Sequence, residues 1–188
     1  MFITLSDERM LEIWRQGAGL EPPLADASVE VFNSLDVTMR LSTAMRAWYL
    51  DYLADAPLDR VPISDVTESA VLTPDHADDQ WIVRPKGKIA RITSIECASH
   101  GSVPLINPLD PANAHLVRCL SNRFVRRGFM PVALYVPNAP TALILSASEP
   151  VISCVNAVIV TEDDTYIIDE RILADIPSLA SQAIASNF

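Results

Sequence analysis

The chain has 188 residues, 49 % of them apolar and 20 % charged, a balance that argues against disorder and supplies material for a real core. Its 24 acidic against 14 basic side chains give a net charge of −10, which disfavours nucleic acid as a general surface partner. No apolar run is long enough to suggest a membrane span.

In chain order, Phe2-Ile3-Thr4-Leu5 is a short apolar lead. Ser6 is placed to cap a helix from Asp7 to Arg15, with Asp7 and Glu8 in its first turn, Met10, Leu11 and Trp14 on its apolar face, and Gly17 and Gly19 at its end. Pro22 and Pro23 can open a second helix, and no proline follows until Pro57. Over this span Ala25, Val29, Phe32, Leu35, Met39, Ala44, Trp48 and Tyr52 recur at helical spacing. Leu24, Val31, Val37, Leu41, Met45, Leu50 and Leu53 widen the apolar stripe until it needs cover from the same chain or from a neighbour. Such a helix would be about 50 Å long, with a break possible at Asn33-Ser34. Trp14, Trp48 and Tyr49 read either as core or as part of a subunit interface, where aromatic residues are enriched.

From Pro62 the pattern changes to strands. Val66–Thr73 and Trp81–Val83 flank the polar turn 74–79 and are expected to form a hairpin. In the next strand Ile89, Arg91, Thr93 and Ile95 alternate with Ala90, Ile92, Ser94 and Glu96. Asp110-Pro111 supplies an N-cap and first helical residue for a short helix through Val117 and Arg118 towards Phe124. Pro131–Val136 and Thr141–Leu145 are expected to pair as an antiparallel hairpin. Val151–Val160 is the most strand-like run, with Tyr166-Ile167-Ile168 as its expected partner across the acidic turn 161–164. Asp169-Glu170 begins a C-terminal helix that Pro177 kinks or restarts. The expected fold is α+β in a single domain, 1–188. A helical bundle from 6–55 and 169–188 carries an inserted antiparallel β-rich lobe, 62–168.

Chemical motifs are few. His76, His100 and His115 lack metal-ligand spacing, and the five glycines form no phosphate-binding loop. Asp75, Asp78 and Asp79, and Glu162-Asp163-Asp164, read as solvated loops rather than cation sites. Cys97, three residues before His100, reads as a core thiol rather than a nucleophile. Cys97, Cys119 and Cys154 are widely spaced and expected to be reduced, consistent with assembly in the cytosol. No signal peptide is expected, since no basic segment precedes an apolar one at the N-terminus. Neither a cofactor, a catalytic residue nor a metal is expected.

One feature is electrostatic. Between Asp110 and Glu149 there is no acidic residue, and Arg118, Arg123, Arg126 and Arg127 lie in that interval. Arginine suits directed, bidentate pairing with carboxylates. These four, with Trp48, are the candidate protein-interface residues. Arg118–Arg127 reads either as a solvated face paired within the chain, to Asp110 or to 162–164, or as a docking edge for an acidic surface such as a neighbouring subunit.

The order of these pieces resembles that of the head-to-tail adaptor proteins of tailed phages, the tubular or gatekeeper type and the related ring proteins of gut-phage relatives. A helical hairpin leads. An "I-V-x-P-x-G/D" piece follows at Ile82–Gly87, an "R-I-x-S-I" strand at Arg91–Ile95, and an "N-R-F-x-R-G-x-x-P-V-A" piece at Asn122–Ala133. The likeness covers about three-quarters of the chain. Arg127 and the Phe129-Met130 pair depart from the pattern. The resemblance implies a structural virion protein without an enzymatic centre. It implies a ring, commonly a dodecamer, at the portal vertex or neck, assembled in the host cytoplasm. Its partners would be its own copies, the portal protein and a tail or nozzle protein, with DNA passing through unread and no membrane contact. The residues themselves leave open a small α+β module that binds a ligand or peptide, and an enzyme whose site would need Cys97 and His100 to converge with a carboxylate.

Overall fold

A computed structural model describes residues 1–17, 19, 31–75, 80–122, 130–137, 139–146, 148–161 and 164–187, with backbone alone for 31–36 and 183–187. The fold is α+β, with four α-helices and three sheets among these residues. Contacts divide the chain into residues 1–62 with 161–188, and residues 63–160.

The first unit joins both ends of the chain. Strand β1 (Phe2–Ser6) leads directly into helix α1 (Asp7–Gly17), and Ser6 Oγ accepts from the Arg9 N–H at 3.3 Å as the expected cap. Helix α2 (Val31–Asp55) is continuous through Asn33-Ser34; the expected opening at Pro22 lies outside the described residues. Late in the chain come β11 (Thr165–Asp169), a single 3-10 turn at 170–172, and helix α4 (Ile176–Asn187). Thus Asp169-Glu170 opens only that turn, and Pro177 stands in the first turn of α4, where its missing N–H leaves no bond unmade. Helix α1 packs against both α2 and α4.

Strand β11 does not pair with the run before it, as the sequence suggests. It pairs antiparallel with β1, from Phe2 opposite Asp169 to Ser6 opposite Thr165. The reason is geometric: strand β10 (Ile152–Ile159) has both edges occupied, by β2 (Ile63–Asp65) and β5 (Ile89–Cys97). A two-stranded ribbon is marginal alone. Here α2 completes it. The Tyr49 hydroxyl accepts from the Ile167 N–H at 3.0 Å and donates to its carbonyl at 3.4 Å, while the Tyr52 hydroxyl accepts from the Asp169 N–H at 3.3 Å. Two tyrosines three apart on one helix face therefore bond backbone groups of β11 that β1 leaves unpaired.

The second unit holds two sheets. One has the order β2-β10-β5-β6, with β6 at Gly101–Val103. The other contains β3 (Ala70–Asp75), β4 (Gln80–Pro85), β7 (Leu105–Ile106), β8 (Val132–Tyr135) and β9 (Ala142–Leu145), in the order β3-β4-β9-β8-β7. The β3–β4 and β8–β9 hairpins are antiparallel, as the alternating residues suggest, whereas β7 and β8 run parallel. Period-two alternation gives the second sheet two buried faces. Ala133, Tyr135, Ala142 and Ile144 enter a core shared with Ile92, Ile95 and Val155 of the first sheet. Val132, Leu134, Leu143 and Leu145 face the other way, packing with Leu116, Val117 and Leu120 of the short helix α3 (Ala114–Leu120). Asp110 accepts from the Ala112 N–H at 2.9 Å and so caps a 3-10 turn at 111–113 rather than α3, which follows it from Ala114 and ends at Leu120, before Phe124.

Strand β5 departs from alternation. Ile89, Ile92 and Ile95 are all buried in the shared core, a period of three. Register shifts against β10 explain this: Ala90 and Thr93 are each skipped in the pairing, so each inserts one extra residue and returns the next isoleucine to the same face. The Ile92 N–H, beside one such shift, donates to the Tyr135 hydroxyl of the other sheet at 3.1 Å.

Candidate functional site: an aromatic groove with an acidic rim

Helix α2 has two different long faces. Leu41, Met45, Tyr49 and Leu53, spaced by four, are buried. Turned away from them, Met39, Thr43, Ala47 and Leu50 are exposed, Met39 at 70 % and Leu50 at 41 %, and none of the four is charged. Between these faces lies Trp48, half-buried. It stacks on Tyr52 with ring centroids 5.6 Å apart and packs edge-to-face with Trp14 at 6.0 Å. Rings held on two sides lose little freedom on binding a partner, which suits a rigid anchor.

Beside Trp48 opens a groove of about 640 Å³. Trp48, Tyr52, Ile172 and Leu179 supply apolar lining, from α2, the 3-10 turn and α4. Asp51, Asp55 and Asp175 also line it, with Arg60 as a cation among them. The carboxylates are exposed, and among the described residues no salt bridge engages them.

Other acids nearby are committed elsewhere. Asp169 is 2 % exposed and accepts from the Arg171 backbone N–H at 2.9 Å and from its guanidinium, which also reaches Asp59 at 3.2 Å. Those bonds from Arg171 hold the Asp169 carboxyl down at about 2. Asp7 accepts from the Tyr166 hydroxyl at 2.9 Å; burial first, then this bond, pushes that phenol up to about 12. A depressed carboxyl contributes stability fully above its unfolded value and loses it as pH falls through the folded one. Stability is therefore expected to fall as pH drops from about 3.8 towards about 2. Urea unfolding across that window checks this: Asp169→Asn should be less stable at neutral pH and show a flatter decline, and parallel curves would contradict it.

Of the candidate interface residues, Trp48 lies at the groove and Arg118 is exposed in the last turn of α3. Arg123, Arg126 and Arg127 lie outside the described residues, as do Glu162 and Asp163. No protein-family model and no curated protein sequence matches the chain. Cys97 is buried, which raises its thiol pKa, while His100 is exposed with its Nδ1 2.6 Å from Ser99 Oγ, so the two face different environments. The sequence reading missed a Cys119–His115 contact on α3, Sγ to Nδ1 at 3.8 Å. Their spacing of four on a helix is the signal that could have shown it. It also missed Asp51, Asp55 and Asp175, because the third joins the others only through the fold.

What the groove can do is bind a cation that carries apolar bulk. A guanidinium can stack on the Trp48 ring while its N–H groups meet a carboxylate in parallel.

Proposed function

We propose that this chain is a structural subunit of a phage head-to-tail connector, forming a ring between portal and tail and surrounding the DNA path in the virion neck. The order of the motifs at 82–87, 91–95 and 122–133 supports the reading. The observation that carries it is α2: a long helix that exposes Met39 and Leu50 beside an aromatic groove whose carboxylates have no salt-bridge partner among the described residues. An aromatic groove next to a polar rim is what protein partners cover. In this reading α1, α2 and α4 act as the helical bundle that joins subunits, and residues 63–160 are its β-rich insertion.

A second reading rests on the groove volume, which falls within the range of small-molecule sites. There the protein is a binding module for a cationic ligand or peptide. Native mass spectrometry of the chain, alone and mixed with a phage portal protein, separates the two. The connector reading expects multiples of the chain mass, alone or on the portal. A monomer that ignores the portal and retains a small ligand supports the second reading and overturns the first.

A further inference from the structure

We infer that the groove at Trp48 receives the arginine-bearing segment 118–127 of a second copy of this chain. The inference rests on the connector reading and names the contact between its subunits.

Charge complementarity selects this occupant. Asp51, Asp55 and Asp175 line the groove without a salt-bridge partner among the described residues, outnumbering Arg60. The chain itself carries the matching charge, because residues 111–148 hold no Asp or Glu and include Arg118, Arg123, Arg126 and Arg127. Arg118 and Met130, on either side of 123–127, are both exposed, Met130 at 58 %. A segment that mixes arginine with Phe124, Phe129 and Met130 offers cations for the rim and apolar groups for Trp48, Ile172 and Leu179. Arginine over tryptophan with a carboxylate at its side combines two favourable geometries that lysine matches less well.

In the ring of the connector reading the contact is heterologous, rather than the reciprocal pairing of a twofold dimer: each copy gives its arginines to one neighbour and its groove to the other. Repetition of such a contact closes a ring when the rotation between copies divides a full turn.

Charge reversal on the full-length protein tests this. Asp51 and Asp55 are exposed, so Asp51→Arg/Asp55→Arg should fold, as should Arg126→Asp/Arg127→Asp, with unchanged far-UV circular dichroism confirming it. Each pair alone should raise the half-assembly concentration by about tenfold or more, in the absence or presence of portal, consistent with loss of a close charge pair. All four changes in one chain should restore assembly to within about threefold of the wild type. Should a reversed variant fail to fold, Asp51→Asn/Asp55→Asn replaces it, and assembly should lose most of its dependence on salt. A wild-type ring indifferent to both charge sets, or a combined variant no better than the worse single pair, overturns this contact and leaves the connector reading standing. A wild type that neither self-associates nor joins the portal overturns both.

Discussion

Trp14→Ala is expected to destabilise the protein by about 3 kcal/mol, the lower end of the range for truncating a buried aromatic. Trp14 is fully buried on α1 and packs edge-to-face with Trp48. Its removal leaves a cavity that the flanking helices can fill only in part. The loss stays at the low end because the Trp14 Nε1–H is buried without a hydrogen-bond partner among the described residues, a desolvation cost of about 1–3 kcal/mol that the variant no longer bears. Trp14→Phe, which removes that N–H and keeps a ring, should therefore cost much less than the alanine variant. Urea unfolding followed by circular dichroism checks both. Equal losses for Phe and Ala would show that the orphan N–H matters little and that the full indole volume is required.

Gly17→Ala is expected to cost about 1–3 kcal/mol, although alanine normally favours a helix over glycine. A Cβ at position 17 would lie 2.3 Å from the Pro177 carbonyl oxygen and 2.4 Å from its Cα. Those are backbone atoms in the first turn of α4, so relief requires α1 and α4 to separate. The neighbouring Ser181 hydroxyl, which donates to the Gly17 carbonyl and to the Pro177 carbonyl at 3.1 Å, ties the same point together. A melting temperature equal to or above that of the wild type would contradict this contact.

Gly17 illustrates how far the sequence could be read. Its place at the end of a helix was legible from the run of periodic residues before it. The close approach of α4, which is why no side chain fits there, depends on residues more than 150 positions away in the chain. Where each side chain's environment is set by its immediate neighbours, the reading holds: Ser6 caps its helix, Asp110 caps the turn that leads into the next one, and Val132–Tyr135 and Ala142–Leu145 pair as their alternation suggests. It fails where register or edge competition decides. Strict alternation puts Ile92 on the face opposite Ile89 and Ile95, because it has no means of foreseeing the skipped residues Ala90 and Thr93. Proximity in sequence pairs Tyr166–Ile168 with β10, but both edges of β10 are taken by β2 and β5, and β1 pairs with the segment instead.

The same division applies to the groove. Trp48 stood out as an aromatic residue in a long apolar helix, and Arg118 as a cation in an acid-free interval. Asp51 and Asp55 were visible only as ordinary polar positions of that helix. Their meaning comes from Ile172, Asp175 and Leu179, which the fold brings beside them, and from Arg171, which engages Asp59 and Asp169 instead.

The most direct test is an electron-microscopy reconstruction of the protein assembled with the portal. The predicted result is a closed ring in which each copy covers the outward face of its neighbour's α2, with protein density over Leu50 and Trp48. A ring in which Met39, Leu50 and the groove at Trp48 face open solvent, or a portal left bare, would contradict it.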